Sequence, residues 1–139
     1  MPQDNGEGLL FNPISRDRLK LYSPLALAYI GDAVFELMAR RHEAGRGINM
    51  SMNRLHASVV AHVRAPAQAR AAAALEALLT SEEAEIFRKG RNANVAGVPK
   101  GATPAEYSTA TALEALFGYL YLAGEYDRLD RLFEVCMGE

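Results

Sequence analysis

Two carboxylates stand where the surrounding sequence gives charge no support. Asp32 interrupts 23-SPLALAYIGDAVFELMARR-41, and Glu114 is the single charge inside 107-YSTATALEALFGYLYLA-123. A lone carboxylate in an apolar setting costs several kcal/mol unless it is paired, hydrogen-bonded or bound to a metal. If the two segments pack side by side, Asp32 and Glu114 can meet, and two adjacent carboxylates cannot both stay ionised without a cation between them. Hard oxygen ligands of this kind suit Mg²⁺, which keeps several waters for a phosphate to replace. The alternative use of each acid is an Asp–Arg or Glu–Arg pair within a core. Nucleophilic chemistry has no support: there is no HExxH, no ExxH pair, no GxSxG and no phosphate-binding glycine loop. His56 and His62 are too far apart for an i, i+4 pair, and His42 is expected on a solvated helix end.

Both acids sit on long helices by pattern. Ser23 and Pro24 form an N-cap and first helical position, and the helix runs to the stops at 44-AGRG-47. Leu27, Ile30, Val34, Leu37 and Met38 share one face, and Leu25, Tyr29 and Phe35 make the opposite side apolar too, which predicts a buried helix with Asp32 inside it. Gly31 beside Asp32 costs roughly 1 kcal/mol in a helix interior relative to Ala. The second acid-bearing helix opens with a complete capping box, Thr103-Pro104-Ala105-Glu106, and ends near Ala123–Gly124. Glu114 and Gly118 fall on one face of it.

Further helices are expected over 51–63, from Pro66 to about 79, from the Thr80/Glu83 capping box through Phe87, and over 126–137, with a short lead-in at 16–22. No stretch alternates with the two-residue period of a strand. These elements predict one all-α domain, a helical bundle over 16–139, behind a loose tail at 1–15 that joins the fold near Leu9–Phe11. A chain of 139 residues, half of them apolar, suits one core. The polar start MPQDNGEG is unlike a signal peptide and the apolar runs are short for a membrane span, so no membrane role is expected. The lone Cys136 excludes an intrachain disulfide and agrees with a reducing, cytoplasmic setting.

The net charge of −2 hides an asymmetry. Residues 40–70 hold six arginines against Glu43, and residues 88–105 hold Arg88, Lys89, Arg91 and Lys100 with no acid. The Gly- and Asn-rich loop 90-GRNANVAGVPKGA-102 gives this second patch flexibility. Local basic patches on an acidic chain fit a polyanion bound on one side, and Arg88, Lys89, Arg91, Asn92 and Lys100 are the candidates for gripping its backbone.

The segment 27-LAYIGDAVFE-36 resembles the signature helix of the ribonuclease III catalytic domain, and 113-LEALFGYLYLAG-124 resembles that domain's later metal-binding helix. The resemblance is closer still to the Mini-ribonuclease III form, which lacks a double-stranded-RNA-binding domain; 54-RLH-56, Gln68–Ala69, 88-RKGRNA-93, 99-PK-100 and 106-EYSTATALEALFGYLYL-122 carry it in order. It implies that Asp32 is a catalytic, metal-binding aspartate and Glu114 a metal-binding glutamate. Mg²⁺, with Mn²⁺ as a substitute, is the implied cofactor. The implied activity is endonucleolytic cleavage of double-stranded RNA by a homodimer, leaving 5′-phosphate and 3′-hydroxyl ends. The implied role is maturation of precursor 23S rRNA ends, in some cases aided by a ribosomal protein. Further acids of full-length ribonuclease III are replaced here by Leu25, Ala28, about Ser51 and Thr111. The competing expectation is a non-catalytic, ribosome-associated RNA-binding module of the same fold; such modules typically lose the acids that this chain keeps.

Overall fold

The computed structural model describes residues 8–47, 50–93, 98 and 100–138. Among the described residues the regular structure is entirely helical: α1 (Arg16–Leu19), α2 (Pro24–Arg46), α3 (Met52–Val63), α4 (Ala65–Leu75) with a 3₁₀ turn at Glu76–Leu78, α5 (Ser81–Arg91), α6 (Pro104–Leu122) and α7 (Tyr126–Cys136). None of these helices is long and apolar enough to cross a membrane.

The helix starts follow local chemistry. The hydroxyls of Ser15, Ser23 and Ser51 accept the backbone N–H groups of Arg18, Ala26 and Arg54. Thr80 with Glu83 and Thr103 with Glu106 close reciprocal capping boxes at α5 and α6. Each cap satisfies donors that the first turn cannot pair internally.

The bundle is built around α6, which is buried at every position from Ala110 to Leu120 except Glu114. Its most extensive contacts are with α2, then α5 and α4, and α7 closes the other side. Phe35 of α2 meets Phe117 of α6 edge-on with ring centroids 5.2 Å apart, and Phe133 of α7 at 5.7 Å. Burying each such side chain stabilises the fold by about 1.5–3 kcal/mol. Arg128 of α7 reaches the buried Glu83 of α5 with two hydrogen bonds of 2.8 Å and the Leu78 carbonyl with a third of 2.7 Å. This anchors the 3₁₀ turn that ends the alanine-rich helix.

Of the expected tail, residues 1–7 lie outside the described residues. Further on, the Ile14 N–H donates to the Leu122 carbonyl at 2.7 Å, the Tyr121 hydroxyl donates to the Leu10 carbonyl, and Phe11 meets Tyr126 edge-on.

Three sequence expectations change. α2 is not buried all round: Tyr29 is 80% and Leu37 66% exposed, with Leu25 at 40%. The buried side runs through Leu27, Ala28, Gly31, Phe35 and Ala39, so Phe35 belongs to it, while Leu37 of the expected face turns outward with Leu25 and Tyr29. α5 does not stop at Phe87 but continues to Arg91. Gly90, expected as the first residue of the loop, is instead a helical point of close packing: a Cβ there would lie 2.9 Å from Ala112 Cα and 3.0 Å from Ala115 Cβ of α6. The helix over the alanine-rich stretch begins at Ala65 and is α-helical only to Leu75.

Candidate functional site

The site begins with two glycines. α2 and α6 cross backbone against backbone at Gly31 and Gly118, and a Cβ on Gly31 would fall 1.6 Å from the Glu114 carbonyl oxygen, while one on Gly118 would fall 2.0 Å from the Leu27 carbonyl oxygen. No other residue permits this approach. Asp32 follows the first glycine, and Glu114 lies one turn before the second. The crossing therefore sets the two carboxylates side by side, within reach of a shared hydrogen bond. The unfavourable Gly31 next to Asp32 is thus explained by a single contact.

The two acids differ in environment. Asp32 is exposed, contrary to the expected burial, because it lies on the side of α2 turned away from the core; Glu114 is half-buried between the helices. Burial, then the neighbouring Asp32 charge and their shared hydrogen bond, push the Glu114 carboxyl up to about 8. The opposing influence is Gln68 of α4, which is buried and donates from Nε2 to Glu114 Oε2 at 3.4 Å. Two crowded oxygen donors, one reaching solvent and one held by an amide, fit a hard divalent cation that retains its waters. With such an ion bound, Glu114 has reason to ionise at neutral pH.

Gln68 is the site residue that the sequence reading named only as part of a short resemblance. Its signal was an amide on the alanine-rich face of a helix. The Ser51 hydroxyl is engaged in its cap, and the buried Thr111 hydroxyl donates to the Tyr107 carbonyl at 2.9 Å.

Of the proposed backbone-gripping residues, Arg88, Lys89 and Arg91 lie in the last turn of α5, Asn92 is its C-cap and Lys100 comes further along the chain. Arg88, Lys89, Asn92 and Lys100 are exposed and Arg91 is half-buried. Two of the cations have protein partners despite the acid-free local sequence: Arg88 Nε meets Glu85 Oε1 at 2.6 Å, and Arg91 Nη2 meets Glu76 Oε1 at 2.7 Å while its guanidinium covers the Phe87 ring. These pairs reach solvent and are weak enough for a phosphate to exchange with the carboxylate. Of the loop at 90–102, residues 94–97 and 99 lie outside the described residues.

Asp32 also lines a groove of about 880 Å³, whose walls include Tyr29, Ala33, Leu37, Phe11 and Tyr126. The exposed apolar side of α2 thus continues up to the acid. His42 departs from its expected solvated position: it is half-buried against Phe133 and, with His62, contacts the buried Glu43.

Comparison with known proteins gives consistent findings. A family model described as the Ribonuclease III domain matches residues 25–125. The Mini-ribonuclease 3 of Symbiobacterium thermophilum is 45% identical over 111 residues, spanning 80% of this chain and 85% of the relative. That of Gloeobacter violaceus is 48% identical over 111 residues, covering 80% and 79%. Among solved structures, the crystal structure of a Fusobacterium nucleatum protein superposes with a TM-score of 0.80 at 29% identity, over 89% of this chain and 98% of that one.

Proposed function

The chain belongs to the ribonuclease III domain family in its Mini-ribonuclease form, and from that premise we propose that it is a Mg²⁺-dependent endoribonuclease that cuts double-stranded RNA. The observation that carries this reading is the Asp32–Glu114 pair, two carboxylates pressed together beside solvent at a glycine-on-glycine helix crossing. Asp32 and Glu114 would hold the ion, with Mn²⁺ as a substitute, and Gln68 would fix the orientation of Glu114. Mg²⁺ in such a site supplies a water of lowered pKa and positive charge against the phosphate oxygens. The rigid crossing keeps the two carboxylates in register with each other, and the exposed flank of Asp32 leaves room for a backbone to approach. Arg88, Lys89, Arg91, Asn92 and Lys100 would bind flanking phosphates, which suits a duplex read through shape and backbone. We assign the products as 5′-phosphate and 3′-hydroxyl ends.

The finer assignments rest on family membership together with particular surfaces. A homodimer is supported by the outward apolar side of α2, where Leu25, Tyr29 and Leu37 are exposed along one helix. Precursor 23S rRNA ends as substrate, a ribosomal protein as helper and a cytoplasmic location are proposed from the family resemblance.

The test is cleavage of a long RNA duplex with and without Mg²⁺ by the wild type, Asp32→Asn and Glu114→Gln. Cutting by the wild type with metal alone, with 5′-phosphate ends, supports the proposal. Tight binding of the duplex without cutting at any metal concentration would replace it with a binding module.

A further inference from the structure

The end of α2 carries a second cluster that the reaction does not use. Three groups converge on one oxygen of Glu43: His42 Nδ1 at 2.9 Å, His62 Nε2 at 3.1 Å and Arg46 Nη1 at 3.4 Å. Glu43 is 5% exposed. His42 and Glu43 come from the last turns of α2, and His62 from the last turn of α3. We propose that His42, Glu43 and His62 form a divalent transition-metal site of the zinc class, which ties the end of α2 to α3.

The geometry suits such an ion. The three ligand atoms all lie within 4.8 Å of one another. Bonds of about 2.0–2.1 Å to a tetrahedral zinc set neighbouring ligand atoms about 3.3 Å apart. The two His–Glu separations therefore need to open by only a few tenths of an ångström. Two imidazoles and one carboxylate are a donor set that zinc accepts with its fourth position open to water. Imidazole nitrogen disfavours Mg²⁺, so the cluster differs in metal preference from the all-oxygen pair at Asp32 and Glu114. Both rings are already oriented: His42 lies edge-on to Phe133 with centroids 5.9 Å apart and to His62 at 6.0 Å. Arg46, the cation paired with Glu43, has a side chain that is 65% exposed and can swing into solvent when a cation enters. Glu43 lies eleven residues beyond Asp32 on one helix, about 16 Å along its axis, so the two sites are separate.

The competing occupant is the proton, with the cluster acting as a hydrogen-bonded triad. Full-length Asp32→Asn/Glu114→Gln protein, stripped with EDTA, removes the carboxylate pair from the measurement. Calorimetric titration with ZnCl₂, and with CoCl₂ followed by visible absorption, should give one saturable equivalent per chain with the spectrum of nitrogen and oxygen ligands. His62→Ala and Glu43→Gln placed in that background should each weaken binding at least about tenfold. Zn²⁺ should raise the melting temperature of the background protein and not of those two variants. Circular dichroism checks that each variant is folded, and His62→Asn, at a partly exposed position, carries the test if Glu43→Gln unfolds. Absence of a saturable equivalent, or unchanged binding in the His62 variants, overturns the proposal and leaves a proton-bridged triad. Because the readout is metal binding with the candidate active site disabled, failure here is distinct from failure of the nuclease reading.

Discussion

The glycine-on-glycine crossing of α2 and α6 is the feature a single methyl group tests most directly. In Gly31→Ala the added methyl would lie 1.6 Å from the Glu114 carbonyl oxygen, 2.5 Å from the carbonyl carbon and 2.7 Å from the Gly118 nitrogen. Non-bonded heavy atoms settle near 3.5 Å, so α2 and α6 must part locally by about 2 Å. All three atoms are backbone and cannot rotate aside. Overpacking of this kind costs about 1–3 kcal/mol, and a backbone clash belongs at the upper end. Alanine's better helix propensity returns about 1 kcal/mol. The expected net loss is about 2 kcal/mol, or a fall in melting temperature of roughly 6 °C for a chain of this size. Duplex cleavage should fall further, by at least about 100-fold, because a parting of about 2 Å exceeds the misplacement of about 1 Å that already costs this much in the positioning of reacting groups. Gly45→Ala is the control on the same helix. Its methyl meets Arg41 Nη1 at 2.8 Å, the end of a flexible side chain, so helix propensity should win and stability should hold or rise by up to about 1 kcal/mol. Urea unfolding of both variants decides the matter. A Gly31→Ala protein as stable as the wild type would refute the backbone-on-backbone crossing.

Other expectations follow from the same geometry. Glu114 has a folded-state value of about 8 against 4.5 ordinarily, so the unfolded chain releases that proton first and the metal-free protein should lose stability as pH rises through this window. The loss, up to a few kcal/mol, should vanish in Glu114→Gln and shrink on adding Mg²⁺; thermal melts in EDTA from pH 4.5 to 8.5 measure it, and an unchanged slope in the variant would count against the pairing. Arg128→Met leaves the buried Glu83 carboxylate without its guanidinium and should cost about 3 kcal/mol in chemical denaturation, with part of the loss recovered in the double variant carrying Glu83→Gln. Lys89→Ala and Lys100→Ala should each weaken duplex binding and lower the slope of log affinity against log salt by up to about one, read by filter binding over a salt series. Leu37→Lys, on the outward side of α2, should shift the protein to monomer in sedimentation equilibrium; persistence of a dimer would move the interface elsewhere.

The sequence by itself determined the local structure. Serine and threonine caps, two capping boxes and prolines at helix starts are short-range devices, so Ser23, Ser51, Thr80 and Thr103 open their helices where the pattern puts them. The burial of α6 was equally legible, because apolar residues surround its axis. Asp32 and Glu114 could be singled out because a carboxylate in such a stretch has no local explanation. Their meeting depended on packing. Gly31 and Gly118 are 87 positions apart, and a glycine in a helix reads as a weakness until the partner backbone is seen against it. Gly90 belongs to the helix for the same reason, although its sequence neighbours read as a loop: α6 lies against it. The exposed side of α2, the reach of Gln68 to Glu114 and the convergence of His42 and His62 on Glu43 were likewise decided in three dimensions. Local periodicity states which residues are apolar or polar on one helix; which groups face each other across helices depends on crossing angle and rotation, and these are set by the side chains and glycines of both partners together.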